Sequence, residues 1–505
     1  MSKSVIIVGA GISGLSAGFY SQLNGFQTTI FESHNIPGGL CTAWKRKGYT
    51  FDISMHMVTG SRSGPLHQLW QELGVAQNFS FHYHEIAQSV EGMEKKLTYT
   101  TDRQKLESDM LAISPEDAPL IREFANLIFG PDPMNAASLK PEEMQNIFDK
   151  IKILPAILPV IPKFMKYKSA TVQDFAARFQ NPFLREAVRY FIDAPGWPMP
   201  RFPLPILTGF MRCGLTDAGV PLGGSQKVVL HMAKMFKKNG GKISYESRVK
   251  NLIIENDIVK GILLEDGTKH RADIVIWAAD GHTLIFDLLK KKYIDEQIKN
   301  MYETWIPVKP IVHVMIGVNR DLSDEPHRTV FETGEPISIA GVEQKWLTVL
   351  HHCFDKTMAP PGKSAVEVWY DTDYEYWKDL AKNRKAYEAE KQRIADYTIE
   401  QLEKRWPGFA SQVEVVDVPT PYTYFRYTGN WKGSPDGWYI TPENMNKMKP
   451  IRSLPGLEGL YMVGQWTMPF TGTIMAALSG RQIIQLICKK EGRKFLFTKA
   501  THTEK

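Results

Sequence analysis

"VIIVGAGISGLSAGFY", from Val5 to Tyr20, decides how the rest of the chain is read. Val5 to Val8 are apolar and mostly β-branched, the pattern of a parallel strand buried on both faces. Gly9, Gly11 and Gly14 follow as G-x-G-x-x-G. In that motif the first glycine makes the tight turn. The second lets a pyrophosphate approach the backbone, and the third lets helix pack on strand. Leu15, Phe19 and Leu23 then recur at helical spacing, and Gly25 stands where a helix ends. The new helix points free N–H groups at the phosphates. "TTIF" from Thr28 reads as the next strand, and Glu32 closes it, placed to accept a hydrogen bond from a ribose hydroxyl. An isolated glycine motif says little. Strand, turn, helix, strand and acid in this order predict a dinucleotide site.

The next stretch separates FAD from NAD. "IPGGLCTAWKRKGYTFD", from Ile36 to Asp52, again puts two glycines, Gly38 and Gly39, where backbone can meet phosphate. Here the chain resembles the FAD-dependent amine-oxidase and phytoene-desaturase superfamily, in which such a pair makes a second pyrophosphate contact. Many relatives carry arginine after the pair. This chain has Leu40, with Lys45 or Arg46 as substitute cations.

The resemblance runs the length of the chain. "PLGGSQKVVLHMAKMFKKNGGKI", from Pro221, is similar to the family's central helix. "SRVKNLIIENDIVKGILLEDGTKHRADIVIWAAD", from Ser247, reads as strands joined by an Asn-Asp and an Asp-Gly turn. Val249 matches the family's adenine-contacting position. "GLYMVGQWTMPFTGTIMAALSGRQIIQLI", from Gly459, resembles the C-terminal flavin motif, with backbone near Thr473 and Ile474 offered to the isoalloxazine. Gln465, Phe470 and Thr471 depart from the usual residues there. "FDISMHMVTG", from Phe51, resembles the F-D-x-G-x-H pattern of retinol saturases and carotenoid isomerase-like proteins, with Ser54 in place of glycine. "TPYTYFRYTGNWKGSPDGWY", from Thr420, resembles a late signature of phytoene-dehydrogenase-like proteins.

The expected fold is α/β: a Rossmann-like, discontinuous FAD-binding domain (residues 1–90, 215–290 and 445–490) with an inserted mixed-sheet and helical substrate domain (91–214 and 291–444). A basic tail follows at 491–505. The residues placed around a non-covalent FAD are Gly9, Ala10, Gly11, Ile12, Ser13, Gly14, Glu32, Gly38, Gly39, Leu40, Met55, Val249, Gly464, Gln465, Thr473 and Ile474. No Cys or His lies between Gly464 and Gly480 to attach a flavin.

The implied activity is desaturation, saturation or isomerisation of a long apolar carotenoid, isoprenoid, retinoid or lipid. No second dinucleotide motif is visible, so the electron partner is oxygen, a quinone or an external reductant. Two alternatives stand beside this. One is a flavin-dependent amine oxidase, with Lys309 as its flavin-facing lysine and Trp431 in an aromatic cage. The other is a non-redox prenyl-binding escort, whose first motif loses the last glycine, whereas Gly14 is present here.

His56 is the candidate catalytic residue, as proton donor or substrate orienter; the plain alternative is a packed histidine. Tyr422, Tyr424, Phe425, Tyr427, Trp431, Trp438 and Tyr439 line an apolar tunnel or pack a sheet. Arg426 among them needs a partner or solvent.

The 505 residues carry a formal charge of +6 without a basic stripe, which argues against nucleic acid. Cys41, Cys213, Cys353 and Cys488 form no C-x-x-C pair, so no metal motif is read, and they fit a reducing cytosol. No signal peptide or spanning helix is read. "ILPAILPVIPKFMKYK", from Ile153 to Lys168, is apolar with a basic end. It is either an interfacial anchor, making the protein peripheral on a membrane, or a buried connection between helices.

Overall fold

The computed structural model describes residues 2–445, 447, 449–468 and 472–497. The departures at Phe470 and Thr471 and the end of the basic tail lie outside the described residues. Five parallel strands form the first sheet, in the order Leu460–Met462, Ile274–Trp277, Ser4–Val8, Gln27–Phe31, Lys242–Ser244. Ser4–Val8 is central and hydrogen-bonds on both edges. Its alternate side chains enter different cores. Val5 and Ile7 pack under helices Ile12–Leu23, Ser225–Lys238 and Gly472–Lys490. Ile6 and Val8 pack under a three-stranded antiparallel meander, Val249–Glu255, Ile258–Leu264 and Lys269–Arg271. Fully burying each of these side chains contributes about 1.5–3 kcal/mol. The meander's first turn is made by Asn256 and Asp257, both left-handed (φ 52° and 57°), the geometry that a two-residue hairpin requires.

The C-terminal helix lies directly against the first one. Ser16 Oγ donates to the Ala477 carbonyl at 2.6 Å, and a Cβ on Gly480 would sit 2.5 Å from the Ser13 carbonyl oxygen. Beside this contact, Arg481 makes a two-pronged ion pair with Glu72 (2.7 and 3.1 Å), and the Tyr20 hydroxyl donates to the same carboxylate at 2.6 Å. Both charged side chains are buried. Removing one partner of such a pair costs about 3–5 kcal/mol, because the other charge is left in a dry interior.

The second sheet has seven strands, in the order Val413–Asp417, Ile311–Val318, Ser364–Asp371, Val342–His351, Arg328–Ile339, Ile86–Gly92, Lys95–Thr100. It is antiparallel except where Arg328–Ile339 meets Ile86–Gly92. Ile86–Gly92 straddles the domain boundary expected at residue 90. The stretches "VKPIVHVMIGV", "KWLTVLHHCF" and "SAVEVWYDTD" supply three of these strands. The charged stretch from Lys382 is the helix Arg384–Arg405.

Along Ser364–Asp371 the side chains alternate between faces. Val366, Val368 and Tyr370 pack with Ile394 and Leu402 of that long helix. The opposite phase carries Glu367 and Trp369, with His313 paired directly across from Trp369.

Residues 103–216 form a helical cap. Within it, Ile147–Ile157, begun by an Asn146–Asp149 capping box, and Ile161–Tyr167 stand out from the body. Ile147, Phe148, Ile151, Leu154, Leu158, Ile161 and Met165 are 43–69% exposed, so this segment is not a buried connection. Of the lysines there, Lys163 donates to the Asn126 carbonyl and Lys166 pairs with Glu123, while Lys150, Lys152 and Lys168 are exposed. No described helix is long and apolar enough to cross a membrane.

Candidate cofactor site and adjoining cavity

The glycine turn has two kinds of glycine. Gly9 adopts φ +101° and donates its N–H to the Phe31 carbonyl at 2.8 Å, tying the turn to the neighbouring strand. A Cβ on Gly14 would lie 2.0 Å from the Gly9 carbonyl oxygen, so helix and turn touch with no room for a side chain. Gly11 differs. It has an ordinary φ of −70°, and an added Cβ would meet only the Gly38 carbonyl oxygen at 4.0 Å. The space in front of it is open, and a cavity fills that space. Gly11 is also the N-cap of the helix, with no side-chain cap and no acid in the first turn, so its N–H groups face an uncompensated opening.

Other segments close around this opening. Gly38 donates to the Ala10 carbonyl at 2.9 Å and bridges Gly11. Gly38 and Gly39 have φ +132° and +61°, conformations that favour glycine. Buried Glu32 accepts the N–H groups of Ala10 (2.7 Å) and His34 (2.8 Å). Val249 opens the meander at the same wall. From the far end of the chain come Gly464 (φ +98°), whose N–H donates to Ser479 Oγ at 2.9 Å, and the first turn of Gly472–Lys490. Gln465 Nε2 is buried there without a hydrogen-bond partner.

One cavity of ≈ 1260 Å³ joins these groups. Gly9, Gly11, Ile12, Ser13, Glu32, Gly38, Gly39, Leu40, Met55, His56, Val249, Gly464, Gln465, Thr473 and Ile474 all line it. Ala10 and Gly14 lie behind the wall, Ala10 holding Glu32 and Gly14 seating the helix. Arg46 lines the cavity with its Nε 3.4 Å from Asp417 Oδ2; Lys45 is exposed and off the wall. A cradle without side chains, free helix N–H groups, a buried acid and an orphaned amide fit a dinucleotide with a polar ring system.

Beyond the turn, the cavity wall becomes apolar, with Phe191, Ile192, Trp197, Met199, Phe202 and Leu350. A polar cluster interrupts it around Trp369. His56 lies 5.1 Å from the Trp369 ring, and its Nδ1 is buried without a partner. Burial pushes His56 down to about 4, so it is neutral at neutral pH.

Glu367 sits behind the tryptophan, whose Nε1 donates to Oε1 at 2.6 Å, with His313 Nε2 3.5 Å away. Burial pushes the Glu367 carboxyl up, but His313 and His352 outweigh it and hold it at about 2. His313 Nδ1 is hydrogen-bonded to the Tyr424 hydroxyl.

Sequence reasoning missed Glu367, His313, Trp369 and Arg328. Cross-strand register brings them together; the available signal was a charged residue in the alternating strand "SAVEVWYD".

The aromatic run does not pack a sheet. Pro421–Thr428 is a helix, begun by a Thr420 capping box. Tyr422, Tyr424, Phe425, Tyr427, Trp438 and Tyr439 line the cavity. Trp431 is off the wall, stacked on His282 at 4.6 Å. Arg426 is exposed to solvent. Lys309 is exposed and off the wall.

Comparison with known proteins agrees with this geometry. Residues 12–483 match the family model described as flavin containing amine oxidoreductase. The chain is 26% identical to prolycopene isomerase, chloroplastic, of Daucus carota, over 94% of this chain and 78% of that protein. It is 23% identical to the neurosporene-forming phytoene desaturase of Cereibacter sphaeroides, over 92% and 91%. The crystal structure of an oxidoreductase from Methanosarcina mazei shares the fold, with a TM-score of 0.63 at 18% identity, covering 95% of this chain and all of that one. The chain belongs to the flavin containing amine oxidoreductase family and is an FAD-dependent oxidoreductase, similar in sequence to proteins named for prolycopene isomerisation and phytoene desaturation.

The two glycines respond differently to substitution. Gly11→Val fills open space but puts a poor residue at the helix N-cap, so the flavin-free protein loses only about 1 kcal/mol of folding stability while FAD content falls below a tenth of wild type. Gly14→Ala drives a carbon into the Gly9 carbonyl and destabilises the fold itself. Denaturant melts with flavin quantitation separate the two. Normal FAD content in Gly11→Val contradicts the assignment.

Proposed function

We propose that the protein acts on a carbon–carbon bond of a long apolar substrate, a carotenoid, other isoprenoid, retinoid or lipid, by desaturation, saturation or isomerisation. The supporting observation is the single cavity, which passes from the glycine cradle into an apolar chamber without an intervening wall. The relatives named for prolycopene isomerisation and phytoene desaturation point the same way.

In this reading the helix N-terminus at Gly11–Ser13 and the Gly38–Gly39 turn hold the pyrophosphate. Glu32 holds the ribose, Val249 lies by the adenine, and Gln465 with the Thr473–Ile474 backbone faces the flavin ring. Bound FAD supplies hydride acceptance or donation. The chain supplies a dry, shaped space. Phe191, Trp197, Phe202 and Leu350 exclude water and confine the substrate, and His56, neutral and unpartnered, orients it. Lys309 and Trp431, the residues an amine oxidase would use here, are both off the cavity wall.

The exposed apolar helices support a second part of the proposal. Substrate of this kind resides in a bilayer, and Ile147, Phe148, Ile151, Leu154, Leu158, Ile161 and Met165 offer it a lipid-facing surface. Lys150, Lys152 and Lys168 stand beside them for anionic headgroups. The occupant of this face is a membrane leaflet.

FAD-loaded protein is incubated with phytoene or prolycopene in liposomes, with a quinone acceptor or a reductant. The expected result is a changed polyene spectrum: longer wavelength for desaturation, shorter for saturation, a lost cis band for isomerisation. Flavin bleaching by primary amines with all polyenes unchanged overturns the proposal. In vesicle flotation with phosphatidylglycerol liposomes, Leu158→Asp with Ile161→Asp releases the protein while FAD content holds. Unchanged flotation of that variant excludes this face.

A further inference from the structure

Resting on the apolar-substrate reading above, we propose that the Trp369 end of the cavity is an anion subsite, with Arg328 as its cation, and that the substrate chain ends in a carboxylate. Arg328 opens the strand Arg328–Ile339, paired across from Leu350, and lines the cavity. Among the described residues, no carboxylate lies within ion-pair distance of its guanidinium. Its Nε is buried and makes no hydrogen bond. The side chain rests on a ring instead, with the guanidinium carbon 5.4 Å from the Trp369 centroid. Burial pulls its pKa down to about 10, which still leaves it charged at neutral pH.

A cation in such a place is costly unless an anion meets it. The buried carboxylate nearby, Glu367, faces other groups: its Oε1 accepts Trp369 Nε1 at 2.6 Å and lies 3.5 Å from His313, and its Oε2, which makes no hydrogen bond, lies 3.8 Å from His352. It lies behind the indole and is not on the cavity wall. On the cavity side of the same indole stands His56, 5.1 Å away, with its own buried Nδ1 unpartnered. Arg328 and His56 are not alone: Trp197 Nε1, His84 Nε2 and His313 Nε2 on the same cavity wall are also buried without hydrogen-bond partners, so unsatisfied polar groups converge on one largely apolar chamber. A guanidinium fork matches the two oxygens of a carboxylate, and a neutral imidazole adds one hydrogen bond. A terminal phosphate, with nearly two charges, calls for more than one cation, and the subsite has one. An ammonium substrate is repelled.

The test uses FAD-loaded wild-type protein and tryptophan fluorescence, titrated with retinoic acid, methyl retinoate, palmitate and methyl palmitate. Each acid is expected to bind about tenfold tighter than its ester, the scale of one charged hydrogen-bonded contact. In Arg328→Met the gap closes, and Arg328→Lys restores part of it. Equal binding of acid and ester by wild type overturns the subsite, whether or not the variants fold. So does a gap that persists in Arg328→Met. The two readings fail separately. Polyene ester binding as tightly as polyene acid sinks the subsite and leaves the polyene reading standing. An Arg328-dependent gap for palmitate, with neither retinoid bound, keeps the subsite and removes the polyene.

Discussion

The Gly9 carbonyl and the Gly14 backbone occupy space that no side chain can share, and the rest of the molecule is arranged around that contact. It locks strand, turn and helix into one unit, so the helix N–H groups point where the strand ends. Distant parts of the chain must then reach this one place. Gly38 bridges Gly11, Gly464 lies against Ser13, and Gly480 lets the C-terminal helix press on the first helix at Ser13 and Ala17. The buried Arg481–Glu72–Tyr20 group ties the C-terminal helix and the first helix to the helix Gly64–Glu72 from behind. A discontinuous chain thus makes one site because close backbone approach is available only where glycine stands.

The second sheet extends the site. One face is apolar and packs on the helix Arg384–Arg405. The other breaks the usual rule for buried strands, with Trp369, His313 and Arg328 on the cavity wall and Glu367 behind Trp369. Local rules fail most informatively at functional positions, because chemistry there outweighs packing. His56, kept neutral by burial, and a guanidinium without an acid give a largely apolar cavity one distinct end.

The sequence carried the first half of this picture because its signals are local. The glycine spacing, Glu32 and the Asn-Asp turn each act over a few residues, and their conformations follow from backbone sterics. The chamber was hidden because its members come from strands far apart in the chain, joined by register alone: His313 faces Trp369 and Arg328 faces Leu350. His56 was singled out from a motif, but nothing local gives its partner or its neutrality. The stretch Pro421–Thr428 read as either tunnel or sheet. Thr420, Pro421 and Thr423 held the helix-start signal, which the aromatic pattern masked. Ile147, Phe148 and Ile151 went unread as part of the exposed face, since a short apolar run looks the same buried or bare.

Hydrogen exchange of the flavin-free protein with and without added FAD tests the central claim, that separated segments form one cofactor cradle. Slowed exchange is predicted together at Gly9–Gly14, Gly38–Cys41 and Gly464–Gln465, with little change in the long helix Arg384–Arg405. Protection confined to one of these segments, or appearing only outside them, contradicts the account.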